Sequence, residues 1–156
     1  MKILFDTVTH GAVQTEELGK KLAELILSDA SAPRFVALYG DLGVGKTVFI
    51  RGFTSVVVPE ATVKSPTFAL VNEYRPPRGS DKGRTAVFHF DMYRIESEDD
   101  LWSTGFYDYP EKGICLVEWS ENIPYALPDR YYSVRIVKDD ALDASSRRIV
   151  VASEGI

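Results

Sequence analysis

The chain has 156 residues, and its 18 lysines and arginines against 23 aspartates and glutamates leave a net charge of −5. With 45% hydrophobic and 26% charged residues it reads as one soluble globular domain over 1–156, large enough to bury a core. An acidic balance argues against gripping a nucleic-acid backbone unaided, so no stable DNA binding is expected. No apolar run reaches membrane-spanning length, "MKILFDTVTH" lacks a leader pattern, and a lone Cys115 excludes an internal disulfide, so a cytoplasmic location is expected.

Residues 2–8, "KILFDTV", read as a short strand. "QTEELGKKLAELILSDA" places Leu18, Leu22, Leu25 and Ile26 on one helical face, with Thr15 as the expected N-cap and Glu16 and Glu17 at the positive end of the helix dipole. "SAP" at 31–33 breaks the pattern, and "RFVALYG" is a buried strand ending in glycine. "KTVFIRGFTSVV" continues as a helix. "TFALVNEY" at 67–74 reads as a strand, "RPPRGSDKGRT" as a loop and "AVFHFD" as the returning strand of an antiparallel hairpin. Ser97 caps a short helix that stops at Gly105. "GICLVEW" is a further strand, and "RYYSVRIVK" and "SRRIVVAS" form a last hairpin across "DDALDAS". The sum is an α/β three-layer sandwich with a mixed sheet and a parallel centre.

"YGDLGVGKT" carries the chemistry. Gly40, Asp41, Leu42, Gly43, Val44, Gly45, Lys46 and Thr47 follow the order G-x-x-x-x-G-K-T, between an apolar strand and a helix, which makes the expected sandwich P-loop NTPase-like. In such a loop, backbone N–H groups and a helix N-terminus converge on anionic oxygens. Lys46 is expected to reach the β- and γ-phosphates, and the Thr47 hydroxyl to bind Mg²⁺. The metal also needs a carboxylate at a strand end. Asp91 closes "AVFHFD" and Glu118 closes "ICLVE", and spacing does not choose between them. A two-acid site would let one hold Mg²⁺ and the other orient water.

"GDLGVGKT", "VKSPTFALVNEY", "HFDMYR" and "LVEWSE", in that order, resemble the TsaE family, formerly called YjeE, from about Val13 to Val151. The resemblance implies a small Mg²⁺-dependent ATPase needed to make N6-threonylcarbamoyladenosine (t6A) beside the anticodon of tRNA. It implies partners TsaD and TsaB, with ATP hydrolysis resetting that complex and tRNA engaged through it. By position, Gly40–Thr47 is then the ATP loop, and Ser65, Pro66 and Thr67 a switch-like segment near the γ-phosphate. His89, Asp91, Tyr93 and Arg94 match H-x-D-x-Y-R, and Glu118 and Trp119 match E-W. The family pattern assigns Mg²⁺ to Thr47 and Glu118, and leaves Asp91 to orient water. It sets Thr15 and Arg147 near the nucleotide, with Arg148 as the alternative arginine.

Read without the resemblance, His89 is a hydrogen-bonded structural residue and Trp119 is core packing, while Tyr93 and Arg94 are either a surface pair or, in the case of Arg94, placed to sense phosphate charge. Two rival functions share the loop. A small-molecule or nucleoside kinase needs an arginine-bearing lid, and no arginine-rich segment stands out for one. A nucleotide-gated binding module would have negligible catalysis, against which the two carboxylates argue.

Overall fold

The computed structural model describes residues 1–66, 69–139, 141 and 143–155. In chain order the elements are β1 (Lys2–His10), α1 (Ala12–Ser28), β2 (Phe35–Tyr39), α2 (Lys46–Val57), β3 (Val71–Tyr74), β4 (Ala86–Asp91), α3 (Glu98–Ser103), β5 (Gly113–Glu118), β6 (Tyr131–Lys138) and β7 (Ser146–Glu154). Short 3-10 turns cover Phe106–Asp108, Ser120–Asn122 and Pro124–Ala126.

The strands make one seven-stranded sheet in the order β1-β7-β6-β2-β5-β4-β3. Its centre is parallel, β2 pairing with both β5 and β6, and β4 with β5. Both flanks are antiparallel, through β3–β4 on one side and β6–β7–β1 on the other. The expected mixed sheet with a parallel centre is present, as are both expected hairpins.

Strand alternation sends side chains to two separate cores. On β2, Val36 and Leu38 join Leu22, Ile26, Phe49 and Phe53 beneath α1 and α2. Phe35 and Ala37 point the other way, to Phe88, Phe90, Leu101 and Phe106. The Cys115 thiol lies in this second core, where burial pushes its pKa up to about 12, so it is an inert apolar side chain. α1 and α2 cross at two glycines. A Cβ on Gly52 would lie 2.0 Å from the Glu16 carbonyl oxygen, and one on Gly19 2.2 Å from that of Phe49. Only hydrogen fits there, which explains two glycines inside helices at a cost of about 1 kcal/mol each relative to alanine.

Several boundaries differ from the sequence reading, among them the end of β1, which runs on to His10. Helix α1 starts at Ala12 behind Gly11, which sits at φ 95°, so Thr15 is not the N-cap. Thr15 is a buried residue within the helix, and its Oγ1 lies 2.8 Å from Oγ1 of Thr9. No side chain caps the helix, and Gln14 Oε1 instead reaches back to accept from the His10 backbone N–H at the end of β1, at 2.7 Å. Glu16 and Glu17 consequently lie past the first helical turn, which holds no acid. Strand β3 is shorter than expected, beginning at Val71, and β5 ends at Glu118 rather than Trp119. Ser97 caps α3 as expected, accepting from the Asp100 N–H, and Gly105 ends it with φ 78°.

Candidate functional site

The phosphate loop leaves the end of β2 and enters α2 through Gly45, whose φ of 113° lies in the left-handed region. Gly40, at φ 148°, passes so close to β6 that a Cβ would meet the Ile136 carbonyl oxygen at 2.6 Å and Val44 Cγ1 at 2.8 Å. The loop is thus pressed against the sheet end, with the N-terminus of α2 facing a cleft.

That cleft, of about 450 Å³, is lined by Leu42, Gly43, Gly45, Lys46, Thr47, Val48, Ser65, Asp91, Glu118 and Trp119. Parallel pairing explains why residues so far apart in sequence meet here. Asp91 and Glu118 are register partners at the ends of β4 and β5, and Glu118 N-terminal neighbours continue beside β2. The turns beyond the two strands are tied together. The Met92 N–H donates to the Glu118 carbonyl at 3.1 Å, and Asn122 Nδ2 donates to the Met92 carbonyl at 2.9 Å.

The Lys46 ammonium is buried and donates to the carbonyls of Gly40 and Asp41. It also sits 4.1 Å from the centre of the Trp119 ring, a cation–π contact. Burial lowers its pKa, opposed by the nearby carboxylates of Glu118, Glu121, Asp91 and Asp41. Trp119 itself has φ 58°, a left-handed backbone costing about 1–2 kcal/mol in a residue with a side chain. It is half-buried and packs against the exposed Tyr93 ring at 5.0 Å, so it lies between core packing and a free surface.

Asp91 is half-buried, and burial raises its pKa above the ordinary 3.8. A hydrogen bond from the Tyr93 N–H to Oδ1, at 3.0 Å, works the other way, and the Glu118 charge raises it further. Glu118 is 6% exposed, and its Oε2 lies 2.6 Å from Nε2 of a fully buried His89. Thr47 Oγ1 lies 2.9 Å from the hydroxyl of Ser65, which places the start of the S-P-T segment on the P-loop threonine. Pro66 is buried beside it, and Thr67 lies outside the described residues.

A second cleft, about 240 Å³, opens on the other side of the loop. Gly11, Ala12, Thr15, Gly43, Val44, Gly45, Val48, Ser145 and Arg147 line it. The Arg147 Nε donates to the Val44 carbonyl at 2.8 Å, while Nη1 donates to the carbonyls of Ala144 and Ser146. Arg148 points away on the alternate face of β7 and pairs with Asp6 of β1 at 2.9 Å. Of the two arginines, Arg147 is the one at the loop. Arg94 is exposed and is not among the residues lining either cleft, so it stands on the surface and not against the loop as a sensor of phosphate charge.

Sequence reasoning missed Gly11, Ala12, Val48 and Ser145 as walls of the second cleft. The glycine between β1 and α1 was the available signal, since a strand-to-helix turn at positive φ brings backbone close to the loop.

The model of the family described as "Threonylcarbamoyl adenosine biosynthesis protein TsaE" matches residues 9–149. The chain belongs to the TsaE family. Relatives named "tRNA threonylcarbamoyladenosine biosynthesis protein TsaE" agree across most of the chain. That of Haemophilus influenzae is 39% identical over 126 residues, covering 79% of this chain and 76% of its own. That of Rickettsia conorii is 33% identical over 136 residues, covering 86% and 73%. That of Bacillus subtilis is 34% identical over 117 residues, covering 75% and 70%. The crystal structure of YdiB from Bacillus subtilis superposes with a TM-score of 0.63 at 25% identity, over 100% of this chain and 89% of that one. The TsaE match spans both clefts, from Gly11 to Arg147. Among the described residues no helix is long and apolar enough to cross a membrane.

Proposed function

We propose that this chain is a Mg²⁺-dependent ATP hydrolase that works with TsaD and TsaB in forming t6A on tRNA. The observation that carries this reading is one cleft in which Lys46, Thr47, Asp91 and Glu118 surround the phosphate loop. Its donor set fits the metal. The Thr47 hydroxyl and the Glu118 carboxylate are hard oxygen donors, and Mg²⁺ is held by one or two such groups plus substrate phosphates. The described residues gather no cluster of three or more His, Cys, Asp and Glu, so an all-protein cage is not the reading. When bound, Mg²⁺ neutralises charge on the phosphate oxygens.

The chain's own residues do the rest. Loop N–H groups and the N-terminus of α2 bind the phosphates. Lys46 exchanges the Gly40 and Asp41 carbonyls for phosphate oxygens and stabilises charge as it develops there. Asp91 orients the attacking water and accepts its proton, a task that suits a carboxylate whose proton affinity is raised by burial. Ser65 touches Thr47, so the S-P-T segment is positioned to change when the threonine hydroxyl takes a metal. Thr15 and Arg147 wall the second cleft, on the nucleoside side. Exposed Tyr93 and Arg94 belong to the partner-facing surface. The net charge of −5 leaves tRNA contacts to TsaD and TsaB, in the cytoplasm.

The test is ATP hydrolysis by the purified chain, alone and with TsaD–TsaB, beside t6A content in cells lacking the gene. Slow turnover alone, faster turnover in the complex and loss of t6A are expected. Unchanged t6A in the deletion cells would sink the pathway assignment. Transfer of phosphate to an added acceptor, instead of release to water, would favour a kinase.

A further inference from the structure

The chemistry just proposed makes no use of His89, yet its side chain is fully buried at the edge of the cleft. It stands on β4 two residues before Asp91, and its register partner on β5 is Leu116, two before Glu118. Residues two apart on a strand share a face, so His89, Asp91, Leu116 and Glu118 all point to the α1–α2 side of the sheet. His89 reaches diagonally across the strand pair, and its Nε2 lies 2.6 Å from Glu118 Oε2.

The other ring nitrogen settles the direction of this bond. Nδ1 is buried and has no hydrogen-bond partner among the described residues. With the proton on Nδ1, that donor would be orphaned in the interior and a bare Nε2 would face a carboxylate oxygen, which as an ion can only accept. The proton therefore sits on Nε2 and is donated to Glu118. Oε2 is thereby held, and Oε1 is left for the cleft that Glu118 lines.

We infer that His89 is a positioning residue: its Nε2–H pins one oxygen of Glu118 so that the other is presented to a divalent cation. The inference rests on Glu118 being the metal ligand of the proposed ATP site. Outer partners of this kind orient a ligand before the metal arrives, and their loss typically costs about 10–100-fold in metal affinity.

Two amides separate reach from polarity. In His89→Gln the side-chain nitrogen falls near the place of Nε2, whereas in His89→Asn it falls near Nδ1 and stops short of Glu118. The full-length chain is loaded with ADP, and Mn²⁺ binding is read by electron paramagnetic resonance. ADP affinity in EDTA and the melting temperature are measured alongside. His89→Asn is expected to weaken Mn²⁺ binding about 10–100-fold. His89→Gln should stay close to wild type, and metal-free ADP affinity should be unmoved in both. His89→Asn added to Glu118→Gln should cause no further loss, because both changes act through one carboxylate.

Equal Mn²⁺ affinity in wild type and His89→Asn would overturn the role of His89 alone. So would a metal-free ADP affinity that falls in the same proportion, which marks a general packing role. A wild-type chain that binds no Mn²⁺ with ADP would overturn the ATP site itself, and this role with it.

Discussion

The two sides of the phosphate loop are built from different materials. On one side stand Lys46, Asp91 and Glu118, all wholly or partly buried, with pKa values moved by burial and by one another for Lys46 and Asp91. On the other side stand glycine, alanine, threonine and serine, with Arg147 tied to the backbone carbonyl of Val44. Perturbed titratable groups gathered in a cleft are the mark of chemistry, whereas a wall of backbone and neutral polar groups can recognise a ligand without altering it. Under the proposed function, turnover falls to the first side and nucleoside binding to the second.

Substitutions can break that division. The largest effect is expected for Lys46→Ala, which should lower ATP turnover by roughly 10²–10³-fold, measured as phosphate release at saturating ATP. Loss of nucleotide affinity alone, with turnover intact, would blur the two sides.

Asp91→Asn should reduce turnover by about 10²-fold while leaving ATP bound. Its pH behaviour follows from burial. The folded chain holds the Asp91 proton to higher pH than the unfolded chain, whose value is near 3.8. The stability this group contributes is therefore full below that value and lost as pH rises through the raised folded pKa. At pH 7 the ligand-free Asp91→Asn variant should resist denaturant better than wild type. The acid limb of turnover in wild type should lie above the ordinary aspartate range. An acid limb that persists unchanged in the variant would assign it to another group.

Arg147→Ala should weaken nucleotide binding by about tenfold, the worth of one hydrogen bond to a charged group, with turnover at saturation retained. Arg148→Ala, which breaks only an exposed pair with Asp6, should change neither binding nor turnover. The smallest effect expected to be measurable is that of Thr15→Val. It removes the Thr9–Thr15 hydrogen bond and should lower the melting temperature by about 2–4 °C.

The loop and both carboxylates were legible because each follows an apolar strand, and a strand end is a local pattern. Nothing in the sequence singles out Gly19 and Gly52, since their reason is the facing helix. Thr15 was misread as a cap for a related cause. Threonine before an apolar-periodic run suits an N-cap, but β1 runs on to His10 and Gly11 makes the turn. The choice between Arg147 and Arg148 needed the pairing of β7 with β1, which joins the two ends of the chain. His89 could be placed opposite Phe88 and Phe90 by alternation, but its contact with Glu118 depends on the parallel register of β4 with β5. Single-strand patterns carry no register, so partners across strands stay hidden until the sheet is known.

The central claim is that the acidic cleft hydrolyses ATP. Phosphate release by wild type and by Glu118→Gln, each with and without TsaD–TsaB, tests it most directly. Wild type should turn over slowly alone and faster with the partners, while Glu118→Gln binds ATP and stays slow in both. Equal rates for the two proteins, or no phosphate release from wild type even with TsaD–TsaB, would contradict it.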